Sequence, residues 1–220
     1  MQHCALIHTR QLFIRLTALF IFFLFLIVGT CSKSVSFSAA NFFHCQWLDD
    51  FFIVFTNLGD GLFALSLVAF FMVVKKKTTA IKIAAAFLLS GLLAQLLKYL
   101  FHAPRPRTFF SSGNYRHFIM GITNSGMNSF PSGHATTAFA VAATLAFTTP
   151  CRKSCCFFFT TATLVVYSRI YLGQHFIEDT LAGIIIGTLS SLFIEYLYPR
   201  QGNLHHTIRN SHVIEPATVH

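Results

Sequence analysis

Long apolar runs, interrupted by short stretches that carry most of the charge, set the pattern of this chain. A helix needs roughly 20 residues to cross a bilayer, and six runs approach or exceed that length. They lie at about 12–31, 51–74, 79–101, 134–150, 156–173 and 175–197. The pattern predicts an all-α fold: a polytopic membrane helical bundle of about six transmembrane helices. These form a single domain over 1–200, with a polar cytoplasmic tail at 201–220. The basic flank His8-Thr9-Arg10 gives the first run some likeness to a signal peptide, but its apolar stretch is longer than a signal core, which favours a retained helix.

Composition points to lipid as the solvent. Of 220 residues, 54% are hydrophobic and 10% charged, with a mean hydropathy of +0.61; a soluble domain carries about 25% charged residues. On a soluble protein the net charge of +9 would suggest nucleic acid. Here the basic residues lie between apolar segments, where topology and phosphate binding account for them, and no nucleic-acid partner is expected. The six cysteines have no disulfide or zinc-ribbon spacing. Cys151–Cys156 reads as an interfacial loop of small residues, and Cys31 only faintly resembles a lipoprotein cleavage site, because Thr30 precedes it.

Charge also orients the bundle. Arg10 and Arg15, Lys75-Lys76-Lys77, Arg152 and Lys153, and Arg200 and Arg209 all fall on one side if both termini are cytoplasmic. The opposite face receives the 32–50 loop, the long 102–133 loop and the tight 172–175 turn. That face also carries Lys33, Lys98, Arg105, Arg107, Arg116 and Arg169, which topology alone leaves unexplained and an external phosphate site makes expected. The protein is therefore expected in the plasma membrane as a multi-pass protein, which is the inner membrane if the source is Gram-negative, with its site facing the periplasm or exterior. The histidines of the tail (His205, His206, His212, His220) read as part of a disordered segment.

Three segments distant in sequence end at that external surface. Ser168-Arg169, His175 and Asp179 bridge the last two spans. The spacing of four from His175 to Asp179 puts both on one helix face, so the carboxylate can hold one imidazole nitrogen and leave the other free to attack. An ionisable group in an apolar span is a functional candidate, although taken alone the pair reads equally well as a structural contact. Pro131-Ser132-Gly133-His134 opens the fourth span. Ser132 suits an N-cap, Gly133 permits close backbone approach, and the helix N-terminus suits an anion. His134 then stands where a general acid belongs. Lys98 supplies a point charge and Arg105, between Pro104 and Pro106, a bidentate fork. Together these groups equip a site for phosphoryl transfer without a metal, by positioning and charge stabilisation.

Lys98-x6-Arg105-Pro106, Pro131-Ser-Gly-His134 and Ser168-Arg169-x5-His175-x3-Asp179, in this order, resemble the three-part signature of the type 2 phosphatidic acid phosphatase family, whose superfamily includes soluble vanadium haloperoxidases. The resemblance fills every motif position and runs from about Leu58 to Tyr198. It implies a membrane lipid phosphatase in which His175 attacks phosphorus, Asp179 orients it and His134 protonates the leaving oxygen. Lys98, Arg105, Ser132, Gly133, His134 and Arg169 hold the phosphate. It also implies no cofactor and no metal, so that activity persists in chelator. The expected substrate is a lipid phosphomonoester or diphosphate: undecaprenyl diphosphate, phosphatidylglycerol phosphate, phosphatidic acid or a lipid A phosphate.

Asp60, between Gly59 and Gly61, reads either as shaping the site from below or as a helix break. The two glycines favour the break, and it is left outside catalysis, while Glu178 reads as either a structural or a substrate-contact residue. Head-group choice is expected from the 102–133 loop, with Phe109, Phe110, Tyr115, Arg116, His117 and Met127 as candidates. The competing readings are a membrane anion transporter using the basic external pocket and a haloperoxidase using it for vanadate. Residues at helix ends and the six spans argue against these in turn.

Overall fold

The computed structural model describes residues 2–111 and 117–199, with side chains from Cys4 onward. The tail, Tyr115 and Arg116 lie outside the described residues. The described chain is all-helical. In order it forms α1 (Gln2–Thr30), α2 (Lys33–Ala40), α3 (Gln46–Phe55), a 3-10 turn (Thr56–Gly59), α4 (Gly61–Val73), α5 (Lys77–Phe101), α6 (Pro106–Phe109), α7 (Gly133–Thr148), α8 (Arg152–Tyr171) and α9 (Ile177–Leu197).

The expected spans find helical counterparts with three instructive differences. The run 51–74 is two helices bent by 55° at the 3-10 turn, with Asp60 capping the second by accepting from Leu62 N at 2.8 Å. Asp60 is thus the helix break that its flanking glycines suggested. Next, Cys151–Cys156 is the start of α8 rather than a loop, and Cys155 is buried there. Last, α9 begins at Ile177, so His175 precedes the helix on an extended turn instead of lying on its face. By length and apolarity Cys4–Thr30, Lys77–Phe109 and Ile177–Leu197 can each cross a bilayer, and the bent pair supplies a fourth span if it crosses as one. A total of six requires counting α7, only 16 residues long, and α8, which carries Arg152, Lys153 and Arg169.

Helix α7 is the axle. It packs against α1, α4, α5, α8 and α9, and most of its residues, largely alanine and threonine, are buried. Small residues let backbones approach closely, which drives helix association where lipid removes the hydrophobic gain. Gly187 of α9 is the sharpest case, since a Cβ there would lie 2.3 Å from Thr136 O on α7. Phe13 and Phe20 of α1 reach in against Phe139, Phe147 and Phe159 with edge and stacked ring contacts. Thr9 Oγ1 donates to Thr149 O at 2.8 Å, tying the start of α1 to the far end of α7. Outward faces are apolar, with Phe22, Phe25, Leu92 and Tyr196 exposed, as lipid contact requires. An ion pair also lies inside the bundle: Lys82 of α5 meets Glu195 of α9 at 2.6 Å with the lysine 2% exposed. Removing one partner would strand a buried charge, at a cost of about 3–5 kcal/mol.

Candidate active site

The C-terminal end of α8 folds back on itself to deliver three motif residues. Gly173, at φ +64°, lets the chain reverse, and the amides of Gln174 and His175 both donate to Arg169 O, at 3.0 and 3.2 Å. Arg169 is thereby turned inward. It is 7% exposed, donates from Nη1 to Thr56 Oγ1 at 2.8 Å, and its Nε has no hydrogen-bond partner among the described residues. A buried donor left open in this way is a natural contact for an anionic oxygen.

His175 is 2% exposed and its Nδ1 lies 3.7 Å from Asp179 Oδ2. That separation is an ion-pair approach, longer than a made hydrogen bond, and such contacts often tighten only around a bound substrate. Asp179 is fully buried and held by others: Ser129 Oγ donates to its Oδ2 at 2.5 Å and Phe176 N at 2.9 Å. With Nδ1 turned to the carboxylate, Nε2 is the nitrogen available for attack. Burial, with Arg169 and Arg105 nearby, lowers the His175 pKa to about 4 against the opposing pull of Asp179. The imidazole is therefore neutral across the neutral range.

The second motif is fastened to the third through the backbone, since Ser132 N donates to Asp179 O at 2.9 Å. Ser132 is the N-cap of α7, its Oγ accepting from Ala135 N at 3.5 Å. A Cβ on Gly133 would meet nothing within 4 Å, so the space over this helix start is open to a ligand. His134 follows on the first turn, 27% exposed, with Nε2 3.9 Å from Asp60 Oδ2. The first motif arrives from the end of α5. Lys98 Nζ donates to Asn128 O at 2.8 Å, and Arg105, N-cap of α6, donates from Nη1 to Gln174 Oε1 at 2.7 Å.

These side chains converge. His134 is within electrostatic reach of Arg169, His175, Arg105 and Lys98, and Lys98 in turn of Arg105, Asp179 and Arg169. A cavity of about 310 Å³ opens beside them, lined by Lys98, Gly133, His134 and small residues including Gly59, Gly61 and Gly91.

Ser129, Thr56 and Gln174 were not among the residues the sequence singled out, and Asp60 was set outside catalysis. Asp60 reaches His134, Ser129 holds Asp179, Thr56 holds Arg169 and Gln174 holds Arg105. Only Gln174, next to His175 in sequence, had a local signal. Other candidates separate from the site. Lys33 pairs with Glu178 at 2.8 Å and lies 4.2 Å over the Phe176 ring, which gives Glu178 a structural partner. Arg107 donates to Thr123 O. Phe110 is 7% exposed and packs on Phe37 and Phe176, so it is unavailable to a head group, whereas Phe109 and Met127 are exposed.

Residues 79–203 match the family model described as the PAP2 superfamily. The chain is 35% identical over 115 residues to the lipid A 1-phosphatase of Rhizobium johnstonii, covering 52% of this chain and 46% of that protein. It is 32% identical over 164 residues to the lipid A 4'-phosphatase of Porphyromonas gingivalis, covering 70% and 68%. The match thus spans about half the length of the Rhizobium relative and two thirds of the Porphyromonas one. The crystal structure of Aquifex aeolicus LpxE is similar with a TM-score of 0.66 at 26% identity, covering 78% of this chain and 99% of that one.

Proposed function

The chain belongs to the PAP2 superfamily, and on that premise we propose that it is a membrane lipid phosphatase that removes a phosphate from lipid A through a phosphohistidine on His175. One observation carries the reading: Lys98, Arg105, Arg169 and a neutral buried His175 all lie within electrostatic reach of His134, at an open helix start whose cavity is lined by Lys98, Gly133 and His134. Two relatives named for lipid A support the substrate.

Nε2 of His175 attacks phosphorus as the bond from phosphorus to the lipid oxygen breaks. His134 gives that oxygen its proton; a bound phosphate dianion beside the imidazole favours the protonated form it needs. The negative charge on the equatorial oxygens is met by Arg105, Arg169, Lys98 and the first amides of α7. Water then attacks the phosphohistidine, passing a proton to His134, and the nitrogen departs to release inorganic phosphate. Asp179 stabilises the imidazolium through Nδ1. None of these steps calls for a metal. The site lies on the periplasmic or outer face of a bacterial inner membrane, because Lys75–Lys77, Arg152 and Lys153 lie at the opposite end of the bundle.

Phosphate release by the purified protein from lipid A, undecaprenyl diphosphate, phosphatidylglycerol phosphate and phosphatidic acid tests the assignment. Lipid A should be the fastest substrate. A faster polyprenyl diphosphate would overturn the substrate and keep the class, and no release from any of them would overturn both.

A further inference from the structure

Outside the phosphate site, His44 and Asp49 meet His117, and we infer that these three residues form a divalent transition-metal site suited to Zn²⁺. His44 lies between α2 and α3, Asp49 in the first turn of α3, and His117 in the loop that leads to α7. Asp49 Oδ1 is 3.6 Å from His44 Nδ1, and its Oδ2 is 3.5 Å from His117 Nε2. One ligand atom from each residue falls within 4.8 Å of the other two. A tetrahedral zinc with bonds of about 2.1 Å holds its ligand atoms about 3.4 Å apart. Both separations come close to that value on different oxygens of Asp49, so the carboxylate would hold the ion with both oxygens or turn to offer one. Two imidazoles and one carboxylate form a ligand set that suits zinc and leaves a fourth position for water.

The surroundings support a built site. The Tyr171 hydroxyl, on a residue 1% exposed, donates to Asp49 Oδ1 at 2.7 Å, fixing the carboxylate as an outer-shell partner does. His44 packs on the Tyr171 ring with centroids 4.3 Å apart, and the two imidazoles lie 3.7 Å apart at a tilt of 32°, so the more exposed His117 ring must turn for both nitrogens to reach one ion. The His44 and Asp49 side chains are 7% and 12% exposed, while His117 at 45% gives an ion access from solvent.

The site would also fasten the active-site loop. Beyond His117 the chain runs to Thr123, whose Oγ1 donates to Leu172 O at 3.0 Å. Ile122 O accepts from Gln174, the residue that holds Arg105. An ion joining His117 to α3 therefore pins the loop whose next turn orients a phosphate-facing cation. The inference does not rest on the phosphatase reading, because metal binding is measured without turnover.

The test is Zn²⁺ titration by calorimetry into chelator-stripped, detergent-solubilised full-length protein without an affinity tag. Wild type should bind one equivalent more than His117→Ala and one more than His44→Ala; the shared tail cancels zinc taken by other histidines. Zn²⁺ should raise the thermal midpoint of wild type and leave that of His117→Ala unchanged, with the two metal-free midpoints coinciding. Should the buried His44→Ala fail to fold, the exposed His117→Ala still decides the question. Tyr171→Phe should weaken the site roughly 10- to 100-fold. Equal zinc stoichiometry in wild type and His117→Ala would overturn the site.

Discussion

At the end of the bundle where α7 and α9 begin, Arg169 is 7% exposed and the half-buried Lys98 and Arg105 face the same space. At the other end Lys75, Lys76, Lys77, Arg152 and Lys153 stand exposed. That second end has the larger cavity of the two, about 890 Å³, but its lining of lysines, threonines and largely apolar residues includes no histidine or carboxylate among the described residues. The smaller cavity, about 310 Å³, has Lys98 and His134 in its wall. Basic charge and cavity size are thus shared or reversed between the ends. What differs is whether the cations are held in place: Arg169 by Thr56, Arg105 by Gln174 and Lys98 by Asn128. Charge held in a low-dielectric setting stabilises a transition state, whereas exposed charge serves topology and is screened.

Substitutions can break this comparison in graded steps. Arg169→Ala should lower the rate of phosphate release by about 10³-fold, because it removes a buried donor aimed at the site; a loss under tenfold would place Arg169 outside it. Gln174→Ala should cost about 10-fold by freeing Arg105 from its orientation, and Gln174→Glu, which keeps the acceptor, should recover much of the loss. Titration of His175 by NMR, its signal assigned by its absence in His175→Ala, should show a midpoint near 4. The neutral imidazole then predominates above that value and is lost as pH falls through it, and a midpoint at 6.5 would mean the site is not desolvated. At the exposed end, Lys76→Gln with Lys77→Gln should change the rate by less than about 2-fold.

Much of the proposed site was legible in the sequence because its helix cap, its His–Asp pair and its cations are set by residue type and local spacing together. Ser132 as a cap, Asp60 as a break and the tight turn before His175 follow from one or two neighbouring residues. The missing parts are contacts across the chain. Thr56 reaches Arg169 over 113 residues and Ser129 reaches Asp179 over 50, neither announced by a local pattern. The same holds for Lys82 with Glu195 and for Gly187 against Thr136, where an ordinary apolar run hides a close helix crossing. His175 shows the boundary between the two cases. Its spacing from Asp179 correctly paired them, but the pairing arises from an extended turn entering the helix, not from a shared helical face.

The central claim is that His175 carries the phosphoryl group. Wild-type protein quenched during turnover of a radiolabelled lipid phosphate should retain label that is released by acid and stable to base. His175→Ala should retain none and release phosphate at least about 10⁴-fold more slowly. Label retained by His175→Ala, or turnover at the wild-type rate, would contradict the account.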